Sequence, residues 1–433
     1  MDKSLTRAFG SGSLSAVMKR IAVVGSGISG LAAAYFLSRR HEVHLFEKDD
    51  RLGGHTPTVM AESSSGPVAL DTGFLVHNDR TYPRLVRLFS ELGVDTLSSD
   101  MCFAVACAGT GLEYSSRGPR GFFAQVKNVV NPSHLGLLSE IFRFNREAPK
   151  LLASPEADTV TLGEFLQARG FSDVFVHRYL LPMASAIWSA SLASIRAFPA
   201  LTMIRFLDNH GLLAVTGQPQ WKVVKGGSKT YIPKLTQPYD DRVVLSASIR
   251  GIARDEQGVT IKFHGREDRR FDEVVLACHG DQVLPLLEDA TDAERDVFGG
   301  FRTTTNVAWL HTDESVLPVR EAARASWNYR LLDDADAAPT VTYDLNRLQG
   351  LRTKEQFCVT LNPSGGIDDS KVLRRLTYQH PLYDHQALRS QERWSEVSGV
   401  ARTHYCGAYW FYGFHEDGLR SALRVANALG VEW

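Results

Sequence analysis

The 433-residue chain is short of several things that would have narrowed its role at once. It has no surplus of charge: 48 Lys and Arg stand against 49 Asp and Glu, a formal net charge of −1. A surface built to hold a nucleic-acid backbone needs a basic excess, so no nucleic-acid partner is expected. It has no run of about 18 apolar residues, and hence no helix expected to span a membrane. Its opening, MDKSLTRAFGSGSLSAV, lacks the continuous apolar core of a secretory signal. Residues 1–18 read as a disordered tail. It has few cysteines: Cys102, Cys107, Cys278, Cys358 and Cys406 form neither a close-spaced metal set nor a small disulfide framework. The tripeptides HTD at His311 and HED at His415 lack a complete ligand set, so no metal is expected. Together these shortages point to a reduced, cytoplasmic setting, with peripheral contact at the inner membrane face left open. Cys102 and Cys107 have a C-x4-C spacing, but MCFAVACAG reads as a strand, where positions five apart face opposite sides.

What is present starts with size. With 44% hydrophobic residues the chain can bury a large core and form roughly two or three domains. RIAVV reads as a buried parallel strand, and Gly25, Gly27 and Gly30 complete G-x-G-x-x-G after it. Gly25 allows a tight turn, Gly27 lets backbone approach a pyrophosphate, and Gly30 lets helix and strand pack closely. ISGLAAAYFLSRR is the following helix, whose free N–H groups favour phosphate. EVHLFE is a second strand ending in Glu47, a carboxylate placed to accept hydrogen bonds from ribose hydroxyls. Strand, glycine turn, helix, strand and acid in that order make a dinucleotide site.

RLGGH, Arg51 to His55, follows directly. It resembles the R-x-G-G-[RH] segment of the flavin-containing amine oxidase and phytoene desaturase superfamily. ALDTGFLVHN resembles the segment of that superfamily that runs along the flavin ring. The ending HYCGAYWFYGFHEDGLRSALRVANALG resembles the closing strand, turn and helix whose N-terminus faces the flavin pyrimidine. RVVLSASIRGI and DEVVLACHGDQ resemble the strands that meet the adenylate. The string from RYLLPMASAIW to WKVVKGGSKTYIPKL is similar to a bacterial group of predicted FAD/NAD-binding amine-oxidase-like proteins, often encoded beside cyclopropane-fatty-acid synthases.

The resemblance implies an α/β fold with a Rossmann-like, glutathione-reductase-type FAD-binding domain assembled from separated segments, plus an α+β substrate domain. The expected parts are 19–95, 221–300 and 401–433 for FAD, with 96–220 and 301–400 on the substrate side. It implies noncovalent FAD held by Gly25, Ser26, Gly27, Ile28, Ser29, Gly30, Glu47, Lys48, Arg51, Gly53, Gly54, His55 and Thr56. Gly73, Phe74 and Leu75 are expected along the ring, and Ile249, Ala277 and Cys278 near the adenylate. Gly407, Gly413, Phe414, His415 and Glu416 are expected around the last turn. The sequence departs from the pattern at Ala408 and Tyr409, where the family has a carboxylate two residues after the first glycine. Cys406 could be suspected of holding flavin covalently; a packed strand-end cysteine is expected instead.

The substrate side is rich in helix signals. HLGLLSEIFRFNREAPKLL has helical spacing, TLGEFLQARG starts on a Thr cap and stops at Gly170, and the apolar helices from Leu180 to Leu213 are expected to break at Pro182 and Pro199. Flavin oxidation needs a C–H held close to N5, not an acid–base pair, so the catalytic residues are left unknown. Amine oxidases of the superfamily carry a lysine whose place in TTTNVAWLHTD is taken here by Asn306 or Thr305. Asn306, Phe414 and His415 are the candidate neighbours of the reacting atom, and Tyr383 and Trp394 are candidates for a second aromatic beside Phe414. The expectation is an FAD-dependent oxidoreductase, of dehydrogenase, desaturase or oxidase type, acting on an apolar substrate such as a fatty acyl chain or polyene. The alternatives are an amine oxidase and a non-catalytic flavin-binding sensor. No second G-x-G-x-x-G unit serves a nicotinamide, so electrons would leave to oxygen, a quinone or a protein carrier.

Overall fold

The computed structural model describes residues 17–153, 160–213, 217–332 and 340–433. Of the expected N-terminal tail, residues 1–16 lie outside the described residues. The site is organised by a five-stranded sheet in the order Val243–Val244, Glu42–Phe46, Arg20–Val24, Glu273–Leu276, Thr403–Tyr405. All its pairings are parallel, with Val24 opposite Phe46 on one side and Leu276 on the other. Ile21, Ala22 and Val23 are fully buried, as befits an apolar central strand covered on both faces. The strands come from the beginning, middle and end of the chain, so the sheet is the discontinuous Rossmann-like unit expected.

Two helices lie against it. Ile28–Leu37 follows the glycine turn, and His415–Ala428 closes the chain. Their first turns touch: a Cβ at Gly418 would come within 2.6 Å of Ile28 Cγ2 and 2.9 Å of Ser29 Oγ. Beside this unit, Ile249–Asp255, Gly258–Phe263 and Arg269–Phe271 form a small antiparallel sheet.

The second large sheet has seven strands, ordered Val372–Pro381, Thr303–His311, Cys358–Leu361, Thr340–Asp344, Trp327–Leu331, Phe103–Cys107, Glu113–Ser115. Only the pairing of Trp327–Leu331 with Phe103–Cys107 is parallel. Cys102 and Cys107 are both free and pack in separate clusters. Buried side chains fall into two main clusters, one around the parallel sheet and one between the seven-stranded sheet and the helices of residues 132–209. Ala387, Trp394 and Val397 pack into the first.

Helix Pro132–Glu147 buries His134, Leu137, Ile141 and Phe144, spaced by threes and fours. Leu162–Ala168 starts on a Thr161–Glu164 capping box and stops at Gly170, φ 61°. Pro199 caps Ala200–Asn209, as expected. Pro182 does not break its helix. The chain stays helical from Asp173 to Trp188, with a π-helical stretch at Val176–Leu180 just before the proline. Wider i→i+5 bonding absorbs the missing N–H and the bulk of the ring. The chain instead leaves this helix at Ser189, in the left-handed region at φ 53°.

Candidate active site

The carboxyl ends of the parallel strands carry the glycine turn, Glu47, Ala277–Cys278 and Cys406–Gly407, at the edge where such sheets bind ligands. Each glycine of the first turn has its own reason. Gly25 sits at φ +102°, and a Cβ there would lie 2.9 Å from the Ala277 carbonyl oxygen. A Cβ at Gly30 would lie 1.9 Å from the Gly25 carbonyl oxygen, so helix and turn could not pack. Gly27 is different: a Cβ there would meet nothing within 4 Å. The space above it is open, and the helix it precedes has no side-chain cap. The RLGGH turn closes on the same place, since a Cβ at Gly54 would lie 3.0 Å from Gly27 Cα.

Glu47 holds this turn together. It accepts hydrogen bonds from Ser26 N at 2.8 Å, Ser26 Oγ at 2.6 Å and Asp49 N at 3.0 Å. Ser26 itself is fully buried, and Lys48 is exposed. Arg51 donates to the Gly54 carbonyl at 3.0 Å. Thr56 bonds the Gly53 carbonyl and accepts from Tyr231 OH. A Cβ at Gly53 would strike Ile232 Cδ1 at 2.4 Å. Ile249 begins a strand, packed against the core of the parallel sheet.

From the turn a cavity of about 420 Å³ runs into the second half of the molecule. Gly27, Ile28, Ser29, His55, Gly73, Phe74, Leu75, Ala277, Cys278, Gly407, Gly413, Phe414 and His415 all line it. So do Tyr179, Met183, Ile187, Trp188, Phe206, Leu212 and Tyr383 from the substrate side. The first turns of both long helices therefore reach one space, each bringing the positive end of a helix dipole. Gly73 permits a close approach here, because a Cβ would lie 2.3 Å from the His55 carbonyl oxygen.

The histidines of the wall are held neutral by burial. His55, His279 and His380 cluster, with ring centroids 5.6 Å from His55 in both cases, and His55 stacks on Tyr378 at 5.1 Å. Burial holds His55 well below the usual range, lowers His279, and pushes His380 down to about 4. His415 stacks on Phe74 at 3.7 Å, lies 3.3 Å from Tyr231 OH, and is pushed by burial down to about 3. His55 Nε2, His279 Nδ1, Trp188 Nε1, Tyr383 OH and Tyr409 OH are buried without protein partners, and all five residues line the cavity. Orphaned donors and acceptors around an uncapped helix start and an open glycine fit an apolar ring with polar edges joined to phosphates.

Several expected neighbours are elsewhere. Asn306 is not on the cavity wall. It lies behind it, donating to His380 Nδ1 at 3.0 Å and accepting from Asn362 at 2.6 Å. Tyr378 and His380, from the neighbouring strand, line the cavity in its place. Glu416 faces away too: its carboxylate caps helix Pro83–Glu91 through the N–H groups of Arg84 and Leu85 at 3.2 and 3.0 Å. The acid at the start of the last helix that stays near the turn is Asp417, which accepts from Phe414 N at 3.0 Å. Trp394 is core, donating to the Tyr405 carbonyl at 2.8 Å. The aromatics beside Phe414 are Phe206 at 5.1 Å and Trp188 at 6.5 Å. Cys406 is fully buried, lies off the cavity wall, and its thiol is pushed far up by burial. His311 and His404 serve packing, bonded to Thr360 Oγ1 and set beside Glu273.

The sheet, the two helix starts and the glycine cradle define a Rossmann-like dinucleotide-binding fold. The family model of flavin-containing amine oxidoreductases matches residues 28–348, and the chain belongs to that family, whose cofactor is FAD. It is 28% identical over 253 residues to a Mycobacterium tuberculosis protein bearing the name flavin-containing monoamine oxidase AofH, covering 56% of this chain and 53% of that one. The chain thus spans about half the length of the curated relatives it matches. Cyclohexylamine oxidase from Brevibacterium oxydans superposes with a TM-score of 0.69 at 16% identity, over 95% of this chain and 99% of that one. A CLA-producing fatty acid isomerase from P. acnes gives a TM-score of 0.66 at 16% identity over the same shares. Among the described residues no helix is long and apolar enough to cross a membrane.

Proposed function

We propose that the protein is an FAD-dependent oxidoreductase of an apolar substrate, such as an unsaturated or methylated fatty acyl chain or a polyene. The observation that carries this is the chemistry of the wall. Among the described residues no Asp, Glu or Lys lines the cavity, and its one formally charged liner, Arg302, pairs with Asp384. A cationic amine would find no carboxylate there, and the histidines are neutral donors and acceptors. An apolar chain loses nothing by desolvation among Met183, Ile187, Trp188, Phe206 and Leu212.

FAD supplies the hydride acceptor; the residues of the chain do the rest. The glycine turn and first-turn N–H groups would hold phosphate, with Glu47 keeping the turn in shape. Phe74 and His415 would support the ring system from one stacked pair. Phe414, Phe206 and Trp188 would hold the substrate and keep water away, which is where most of the selectivity for an unactivated C–H must come from. Asn306 would fix His380 by occupying its Nδ1, leaving Nε2 of the neutral ring to donate into the cavity. Electrons would leave to oxygen, a quinone or a protein carrier.

The test is anaerobic stopped-flow bleaching of the flavin by fatty acyl lipids, carotenoid precursors and amines at matched concentrations. Bleaching by a lipid or polyene is expected. Fast bleaching by an amine alone would establish the amine-oxidase alternative, for which the aromatic group around Phe414 is the favouring feature. No bleaching by any compound, with slow reoxidation after photoreduction, would leave the sensor.

A further inference from the structure

We propose that the surface formed by residues 117–150 docks the protein on an anionic lipid bilayer. The region begins with the short helix Gly118–Phe122, continues as the 3-10 turn Val126–Val130, and ends in helix Pro132–Glu147. These are one packed unit: His134 lies 2.9 Å from the Phe122 carbonyl oxygen with its ring 4.2 Å from that of Phe122, and Asn131 caps the long helix.

Its outer face is apolar where a solvated face should be polar. Val126 is 85% exposed, Val130 79%, Val129 51%, Phe142 51% and Leu135 42%. No other stretch of similar length among the described residues exposes as many large apolar side chains. Leu135, Ser139, Phe142 and Arg146 recur at three- and four-residue steps along the side of the helix opposite its buried stripe, and all four are exposed. Phe142 and Leu135 are therefore surplus to the core.

The charge around them has one dominant sign. Arg117, Arg120, Lys127, Arg143, Arg146 and Lys150 face only Glu140 and Glu147 within the segment, in a chain whose formal net charge is −1. Glu140 is already occupied, accepting from Ser172 N and Arg143. Arg143 and Arg146 pair with the two acids at 3.2 and 3.7 Å, which leaves Arg117, Arg120, Lys127 and Lys150 as the basic excess. Apolar side chains beside such an excess match an interface of anionic headgroups over hydrocarbon, where each basic residue adds attraction and each buried apolar group adds partition energy. A protein partner would also cover apolar surface, but the basic rim selects an acidic one, and a chain of near-zero net charge makes a second copy a poor complement.

The position fits as well. Met101, Phe103, Ser116 and Trp327 also belong to the wall of the cavity that reaches the glycine turn, and Ser116 is itself exposed. Its neighbour Arg117 begins the docking surface, so that surface starts next to a residue of the cavity wall. The inference deepens the substrate proposal but does not stand or fall with it, because its test reads binding and not turnover.

The experiment is co-sedimentation of the FAD-loaded protein with vesicles of phosphatidylcholine alone and with the same vesicles containing phosphatidylglycerol. Pelleting is expected with the anionic vesicles and should weaken as salt rises. Val126→Asp with Val130→Asp should lower the partition coefficient about tenfold or more, since two apolar anchors become charges of the wrong sign. Lys127→Glu with Arg146→Glu should abolish the preference for phosphatidylglycerol. Leu373→Asp, an exposed apolar site on the strand Val372–Pro381, should change neither. All these sites are exposed, and flavin absorbance reports whether each variant still folds. Failure of the wild type to pellet with anionic vesicles overturns the proposal. So does an equal loss in Leu373→Asp, or a dimer in solution that Val126→Asp with Val130→Asp dissolves, which would mean that a second copy covers the face.

Discussion

Gly27→Val separates holding the cofactor from holding the fold. Gly27 has φ −62° and ψ 176°, an extended backbone that any residue adopts, and a Cβ there touches nothing within 4 Å. Valine is a poorer helix N-cap than glycine, so the apoprotein should lose about 1 kcal/mol or less. FAD binding should fall much further. The isopropyl group would fill the open space over the turn, where the first-turn N–H groups would meet phosphate oxygens. Each such charge-assisted hydrogen bond contributes about 1.5–3 kcal/mol, and displacing the pyrophosphate would weaken at least two. The expected loss is about 3–6 kcal/mol, or roughly 100-fold to 20,000-fold in Kd. The assay pairs a flavin-fluorescence titration with the melting temperature of the apoprotein. Gly30→Ala is the contrasting control: its Cβ would lie 1.9 Å from the Gly25 carbonyl oxygen, so it should unfold the turn whether or not FAD is present. A Gly27→Val protein that binds FAD like the wild type would refute the assignment of the open space to the pyrophosphate. So would one whose apoprotein is as unstable as that of Gly30→Ala.

Two other outcomes follow from the same site. Glu47→Ala should cost the apoprotein about 1–3 kcal/mol, because Ser26 N–H is left buried without an acceptor, and should weaken FAD binding by a similar amount; chemical denaturation and flavin titration measure the two. Acid should destabilise the apoprotein. Burial pushes His77, His210, His311 and His380 down to about 4 and His415 to about 3. Their contribution is complete above the unfolded value of about 6.5 and is lost as pH falls toward 4. Burial pushes Asp71 up to about 6 and Asp417 up to about 7, which works the other way: that contribution is complete below about 4 and is lost as pH rises through 6 to 7. The histidines outnumber the aspartates, so unfolding takes up protons and the melting temperature should drop between pH 6.5 and 4. A melting temperature that rises on acidification over that window would contradict the burial of these rings.

Much of the nucleotide unit was legible because its physics is local. RIAVV, the glycine triplet and EVHLFE each need only their immediate neighbours to take shape, and the structure gives them the strand, turn, helix and strand that their patterns describe. The last helix starts at His415 for the same reason. Pro182 shows the limit of local rules. A proline normally ends a helix, yet a preceding π turn can absorb it when Leu180 and Leu181 have a core to fill, and both are fully buried here. Gly418 shows the opposite failure. Nothing in LRSALR marks the preceding glycine as special, and only the contact with Ile28 and Ser29 reveals that a side chain there would push two helix starts apart.

The site was harder to read because position in a motif fixes where a residue stands along the chain, not what its side chain meets. By resemblance Asn306 or Thr305 stands where amine oxidases of the superfamily carry lysine, but the neighbouring strand Val372–Pro381 presents His380 in front of Asn306. The sequence separation between the two is too large for spacing to show the relation. Glu416 sits in the flavin-facing turn by resemblance, but the unsatisfied N–H groups at the start of helix Pro83–Glu91 come within its reach and take its oxygens. A helix start with no cap of its own draws in a nearby carboxylate, here one from far along the chain. The same rule explains why the helix starts on the cavity matter. Ile28–Leu37 opens on the cavity with no side-chain cap and no carboxylate among the residues lining it, and His415–Ala428 opens on the same cavity with Asp417 bonded at Phe414 N. A polyanionic, hydrogen-bond-accepting ligand suits these ends, and FAD would bring phosphate to the first and an electron-rich ring edge to the second.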